Sequence, residues 1–183
     1  YSNTPSYFDF KLGTTGKPLS QSGLIRLLKK VDIVFPVMHG TFGEDGEIQS
    51  ILEKNKIPYI GSNRNACHNC FDKYRANEFI KSHGFFVLPS TVLKIHEPQK
   101  SKVILEKFFQ DHEIKRAIVK PATGGSSIGV YSVSSVPQAL ESTATIFKKR
   151  IDTRVVVEPF CEGIEFTVII LLNRFGLPVA LLP

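Results

Sequence analysis

The chain has 183 residues, enough for one large domain or two small ones with a real hydrophobic core. Its 42% hydrophobic and 22% charged residues are ordinary for a soluble globular protein, and no apolar run reaches the roughly 18 residues of a membrane span. The net charge of +6 favours anionic partners. However, the densest clusters, Lys29-Lys30 and Lys148-Lys149-Arg150, close expected helices, where cations complement the helix dipole. There is no aromatic-and-basic sheet pattern and no basic helix to enter a groove, so neither nucleic acid nor a membrane is expected as partner. The cysteines are Cys67, Cys70 and Cys161; so low and odd a count argues against a disulfide framework and fits a reducing cytoplasm. Cys67-His68-Asn69-Cys70 has metal-ligand spacing, but no second Cys/His pair completes a site, and no metal is expected there.

Residues 1–18 are rich in Ser, Thr, Gly and Pro and read as loop. They start without an initiator Met or a secretion signal, and the chain stops at Pro183 just after an apolar run, so a piece of a longer protein is expected. Ser22–Lys30 places Leu24, Ile25, Leu27 and Leu28 at helical spacing, and Val31–Phe35 reads as a buried strand. A loop with three glycines spans Pro36–Gly46. The spacing of Ile48, Ile51 and Leu52 predicts a helix over Glu47–Asn55, and Ile57–Ile60 reads as a short strand closed by Gly61-Ser62. Strand, loop, helix, strand is a parallel α/β unit.

Asn65–Cys70 and Asp72–His83 read as helices, with Asp72 a natural N-cap and Gly84 a stop. Phe85–Ile95 is apolar and β-branched, a strand interrupted near Pro89. Ser101–Phe109 reads as a helix, Arg116–Lys120 as a strand, Ala122–Ser127 as a turn and Ile128–Val133 as the returning strand. A helix over Val136–Lys149 follows. The strands Arg154–Glu158 and Glu165–Leu172 come last, joined by Pro159–Gly163, with Phe166–Leu172 expected to be buried.

Three stretches carry chemistry. In Lys120-Pro121-Ala122-Thr123-Gly124-Gly125-Ser126-Ser127-Ile128-Gly129 a lysine ends a strand and a glycine- and serine-rich turn follows. Glycines let backbone N–H groups approach phosphate oxygens, hydroxyls add donors, and the lysine supplies charge. It is not a Walker A loop, because the lysine precedes the glycines. An ordinary hairpin fits these residues equally well. In the second stretch, Glu158 ends a strand, Pro159-Phe160-Cys161-Glu162-Gly163 links, and Glu165 opens the next strand. The linker offers main-chain groups to a purine edge, and the acids accept from an amino group or ribose hydroxyls; a plain strand connection with solvent-facing acids fits as well. The third stretch, Pro36–Gln49, lies beyond the C-terminal end of a parallel strand, where α/β folds place ligands. Its His39 is able to donate or accept near neutral pH, or to serve as a packed loop residue.

Taken in order, these stretches resemble the D-alanine–D-alanine ligases of the ATP-grasp superfamily. That family carries His-Gly-x-x-Gly-Glu-Asp-Gly (here His39–Gly46), an Asp-Lys pair (Asp72-Lys73) and Lys-Pro-x-x-x-Gly-Ser-Ser-x-Gly (Lys120–Gly129). An acid and a Glu-Phe-Thr-Val-like strand follow (Glu158, then Glu165–Val168), and the resemblance runs from about Val31 to Pro183. It implies a partial N-terminal parallel α/β (Rossmann-like) domain at 1–62 and a central ATP-grasp α+β subdomain at 63–161. The start of a C-terminal ATP-grasp subdomain would occupy 162–183.

The resemblance also implies roles. Lys73 and Lys120 would contact ATP phosphates, and Gly124, Gly125, Ser126 and Ser127 would form the loop over them, with Ser126 and Lys120 at the reacting centre. Glu158 would accept from the adenine amino group, the backbone of Pro159, Phe160 and Cys161 would read the adenine edge, and Glu165 would bind the ribose. His39 and Ser126 would sit by the first D-alanine. Where the family often has lysine after the acid, this chain has Pro159; the expected bond uses its carbonyl, so little is lost. Mg2+ ligands would lie beyond Pro183 and the first substrate's amine site before Tyr1, so these residues alone are not expected to ligate. Family members are commonly dimers, so the resemblance also implies a homodimer. Other implied readings are a different ATP-grasp carboxylate–amine ligase, a D-alanine–D-lactate ligase, or a nucleotide-binding module without catalysis.

Overall fold

The computed structural model describes residues 13–125 and 127–182. Most of the expected loop at 1–18, together with Ser126 and Pro183, lies outside the described residues; within that loop, residues 13–15 are helical.

The N-terminal unit opens with α1 (Gln21–Leu28), which starts where the Ser20 side chain accepts from the Gly23 amide. Helix α2 (Glu47–Lys54) buries Ile48 and Leu52 against Ile57, with Leu24, Leu28, Val34 and Tyr59 around them. Its N-cap, Gly46, has φ of 93°, and a Cβ there would lie 2.6 Å from the Arg64 carbonyl oxygen, so only glycine fits. The expected parallel strands reduce to a single parallel bridge between Val34 and Tyr59. Val31–Phe35 is not buried: Val31, Ile33 and Phe35 are each more than half exposed. Strands of a parallel sheet are covered by neighbours on both sides. Here Val34 alone turns to the α2 cluster, and nothing among the described residues covers the alternate side chains.

Two short helices follow, α3 (Arg64–Phe71) and α4 (Lys73–Ser82). Asp72 sits between them as the α4 N-cap, accepting from the Arg75 amide at 3.0 Å. Beyond Gly84 the expected strand shrinks to β1 (Thr91–Lys94), because Pro89 removes a ladder donor and Phe85 and Phe86 stay exposed. Helix α5 (Pro98–Asp111) starts three residues before its expected beginning, with Pro98 in the first turn, where proline costs no hydrogen bond.

The main sheet is antiparallel with strand order β1-β4-β2-β3, built from β1, β2 (Ala117–Pro121), β3 (Tyr131–Val133) and β4 (Arg154–Pro159). The returning strand is shorter than expected, because Ser127 and Gly129 take positive φ and make 127–129 a turn. Helices α5 and α6 (Val136–Lys148) cover one face. Between them and the sheet lie Leu93, Ala117, Val119, Val155 and Val157 with Leu105, Phe108, Ala139 and Ile146. Each fully buried aliphatic side chain there contributes about 1.5–3 kcal/mol. Residues directly opposite in an antiparallel pair share a face. The register pairs Ile118 with Glu158 and Lys120 with Val156, so these four line the face opposite α5 and α6.

After β4, the expected strand over Glu165–Leu172 contracts to β5 (Ile170–Leu172), hairpinned to β6 (Pro178–Ala180). Its residues, and all of Phe166–Leu172, are exposed rather than buried. A two-stranded ribbon has no second layer of its own, and none among the described residues covers it.

Candidate functional site

The sheet face opposite α5 and α6 carries Lys120 and Glu158 as diagonal neighbours on β2 and β4, and their side chains form a half-buried ion pair. With Lys73, Ile80, Phe86 and Leu88 they line a cavity of about 470 Å3. Its lining combines apolar side chains with two lysines and an acid, which suits a flat aromatic ring joined to an anion. Sequence reasoning missed the apolar wall: Phe86, Val87 and Leu88 read as strand. The overlooked signal was a Phe-Phe pair so close to Pro89 that it was unable to join the ladder.

Lys73 is the first residue of α4. Its amide donates to the Ala122 carbonyl at 2.8 Å and its Nζ to the Gly124 carbonyl at 2.9 Å. Burial, and then repulsion from Lys120, hold its ammonium below the usual lysine range, partly offset by Asp152, Asp72 and Glu158. Asp72 forms an ion pair with Arg154, is 5% exposed and anchors this helix start to β4. Burial pushes the Asp72 carboxyl up, but the Arg154 guanidinium and the Arg75 amide outweigh it and hold it below the ordinary value.

The glycine turn is pinned at its entrance. One oxygen of Asp152 accepts from the Thr123 amide and hydroxyl at 2.7 and 2.8 Å, and the other accepts from the Arg154 amide at 3.0 Å. Gly124 takes φ of 94°, which glycine adopts freely. Ser126 lies outside the described residues.

His39 and the turn come together across two further cavities. One, of about 630 Å3, is lined by His39, Gln49, Cys67, Lys73, Gly124 and Gly125; the other, of about 400 Å3, by His39, Thr41, Thr123, Gly124 and Gly125 among others. His39 is exposed, with Nδ1 3.6 Å from Glu44 Oε1, too far for a hydrogen bond. The acids of this loop satisfy its own amides: Glu44 accepts from Gly40, and Asp45 from Phe42 at 2.8 Å and Glu47 at 3.0 Å. Gln49 is buried and donates to the Gly43 carbonyl at 3.0 Å, and its Oε1 has no hydrogen-bond partner among the described residues.

In the linker, Pro159 still pairs with Ala117 in the sheet, and the Phe160 amide donates to the Arg116 carbonyl at 2.8 Å. The Arg116 guanidinium lies 3.9 Å from the centre of the Phe160 ring. The Phe160 N–H is therefore committed to the sheet, leaving the Phe160 carbonyl and the Cys161 amide for a ligand. Glu165 is exposed, lines none of these cavities and makes no hydrogen bond or ion pair among the described residues. No cluster of three His, Cys, Asp or Glu side chains suited to a metal occurs among the described residues, and no described helix is long and apolar enough to cross a membrane.

An α/β unit leading into an antiparallel sheet, with a sheet lysine, a helix lysine and a glycine turn gathered beside it, is an ATP-grasp arrangement. Family models described as D-ala D-ala ligase N-terminus and D-ala D-ala ligase C-terminus match residues 7–62 and 79–178. Among curated relatives, the D-alanine–D-alanine ligase of Pseudoalteromonas translucida is 37% identical over 142 residues, 77% of this chain and 44% of that protein. Among solved structures, the D-alanine–D-alanine ligase from Coxiella burnetii matches with a TM-score of 0.75 at 29% identity, covering 82% of this chain and 43% of that one. The VanG D-Ala:D-Ser ligase from Enterococcus faecalis gives 0.59 at 32% identity, covering 73% and 37%. The chain thus spans less than half the length of these relatives, and it belongs to the D-alanine–D-alanine ligase family.

Proposed function

We propose that the protein containing this chain is an ATP-dependent ligase that joins two D-alanines through an acylphosphate, supplying peptidoglycan synthesis from the cytoplasm. The observation that carries this reading is Lys73, which lines the sheet-side cavity and the His39-side cavity at once, with its ammonium on the glycine turn between them.

The sheet-side cavity takes the nucleotide. Glu158 accepts from the adenine amino group, Pro159–Cys161 offer backbone groups to the ring edge, and Glu165 reaches the ribose once the linker folds over it. Lys73, Lys120 and the turn from Gly124 to Ser127 hold the phosphates. The first D-alanine lies beside His39, with Ser126 at the reacting centre. Its carboxylate oxygen attacks the γ-phosphorus and ADP leaves. The amine of the second D-alanine then attacks the carbonyl carbon and phosphate leaves. A carboxylate is a poor electrophile, so this activation is needed, and the protein contributes positioning and neutralisation of charge. Mg2+ would be held by ligands outside the described residues and would neutralise phosphate charge there. We divide the chain at residues 62 and 161, and the N-terminal family match ending at 62 supports the first of these boundaries. A homodimer belongs to the same proposal.

The test uses the full-length protein with ATP, Mg2+ and D-alanine, following phosphate release and product mass. D-alanine-dependent release with a D-alanyl-D-alanine mass is the expected result. ATP binding without such turnover would leave another amine–carboxylate ligase or a non-catalytic nucleotide binder. The likeness to a D-Ala:D-Ser ligase favours one second reading, in which the second substrate is another D-configured acceptor such as D-serine or D-lactate. Competition between acceptors in the same assay distinguishes it.

A further inference from the structure

The 630 Å3 cavity has one wall that the ligase reading leaves unused. Helix α3 presents Cys67 and Cys70 three residues apart, and both line that cavity together with His39 and Lys73. Cys70 also lines the sheet-side cavity. Cys70 is exposed and Cys67 half-buried. Residues at this helical spacing share a face, with Cβ atoms about 5–6 Å apart. A disulfide needs about 3.5–4.5 Å, so roughly 1–2 Å of movement joins them. Little resists that movement: Cys70 sits in the last turn of an eight-residue helix that contains no buried residue. The Cys67 thiol is held by one weak donation, to the Ser62 carbonyl at 3.4 Å. Burial, then the nearness of Cys70, pushes the Cys67 thiol up.

We propose that Cys67 and Cys70 form an oxidative modification site in the substrate cavity wall, closed by hydrogen peroxide into an intrahelical disulfide that suppresses turnover. The exposed Cys70 thiolate attacks peroxide; the O–O bond breaks, a sulfenic acid forms and hydroxide leaves, taking a proton to become water. Cys67 sulfur then attacks the sulfenic sulfur, the S–S bond forms, and the departing hydroxide takes the Cys67 proton as a second water. Two thiols and one peroxide thus give one disulfide and two waters. In a reducing compartment such a bond is transient, which is the regime of a sensing pair.

The consequence follows from what adjoins the helix. Helix α3 ends at Phe71, and the next two residues are Asp72 and Lys73. Drawing in the last turn pulls on the Asp72–Arg154 pair and on the two bonds from Lys73 to Ala122 and Gly124. It also takes the Cys67 donor away from Ser62. A bond between two side chains on one helix is thereby felt at the glycine turn.

The disulfide itself stands apart from the ligase reading, whereas its effect on turnover rests on it. The experiment treats the full-length protein with hydrogen peroxide at one to a few equivalents, quenches, and maps the peptides, for the wild type and for Cys67→Ser and Cys70→Ser. A Cys67–Cys70 linkage lighter by two hydrogens and reversed by dithiothreitol is expected, and prior addition of ATP and D-alanine should slow its formation. The oxidised-to-reduced ratio of D-alanine-dependent phosphate release should fall about tenfold or more in the wild type and stay within about twofold in either serine variant. Cys70 stopping at a sulfinic acid, linkage to Cys161 instead, or a disulfide with an unchanged ratio would overturn the proposal. If the reduced protein shows no D-alanine-dependent release, the ligase reading fails, and the peptide map still decides whether the modification site exists.

Discussion

The Lys73 ammonium reaches the carbonyl of Gly124 at 2.9 Å, joining the first residue of one helix to a turn 51 residues further along the chain. The bond holds a cation at the turn where the proposed phosphates lie, while the amide of Lys73 fixes its backbone to Ala122. Lys73→Met keeps the backbone bond and removes the charge. It should weaken ATP binding about tenfold to a hundredfold with little change in fold, read by calorimetry and circular dichroism.

The same lysine gives a pH signature. Burial and Lys120 hold its ammonium below the usual lysine range. The folded protein therefore releases this proton before the unfolded chain does. Between the folded value and the ordinary value of about 10.4, Lys73 makes stability rise with pH, and ATP affinity fall as the charge is lost. Bound phosphate favours the charged form, so ATP binding within that window should take up protons. Calorimetry in buffers of different ionisation enthalpy measures that uptake, and Lys73→Arg should abolish it.

Asp72 tests the frame of the site. Asp72→Ala removes both a helix cap and the partner of Arg154, at a cost of about 3 kcal/mol in urea unfolding; Asp72→Asn, which still caps, should recover about 1 kcal/mol. The folded carboxyl lies below its ordinary value. Its contribution is therefore full above about pH 4 and is lost as pH falls through the folded value. The urea midpoint of the wild type should drop more steeply than that of Asp72→Asn below pH 4.

Gly46 tests the His39 loop. Its φ is 93°, and an added Cβ would meet the Arg64 carbonyl oxygen at 2.6 Å. Gly46→Ala should destabilise the N-terminal unit by about 1–3 kcal/mol and raise the KM for D-alanine more than that for ATP. Equal effects on both substrates would argue that the loop does not serve the amino acid alone.

The sequence was most legible where residues act locally. Asp72 announced a cap, the spacing of Ile48 and Leu52 a helix, and the valines of β4 a buried strand, and each depends on neighbours a few positions away. Lys73, Lys120, Glu158, Gly124 and Gly125 were assigned roles only through the resemblance to a family, because a glycine turn after a lysine-ended strand reads equally well as an ordinary hairpin. Harder to see were features made by distant partners. The Asp152 grip on Thr123 spans 29 residues, and no local pattern marks it. Burial of Val31–Phe35 and Phe166–Leu172 was inferred from apolar runs alone, yet burial depends on what packs against a strand, and that is not written within it. The wall at Phe86–Leu88 was hidden for a similar reason: apolar side chains lining a cavity read like those filling a core.

If the sheet-side cavity takes the nucleotide as proposed, the Lys120–Glu158 pair bears on which visitors it favours. Each charge already has a counter-ion, so a newcomer gains nothing by satisfying one of them and leaving the other deserted in a half-dry slot. A free nucleoside offers a donor to Glu158 but no anion to Lys120, and a bare polyphosphate offers the reverse. Only a molecule carrying both ends, spaced like the two side chains, separates the couple without a stranded charge. On the proposed nucleotide reading the cavity would act as a coincidence detector, favouring a molecule that meets both charges over one that meets either alone.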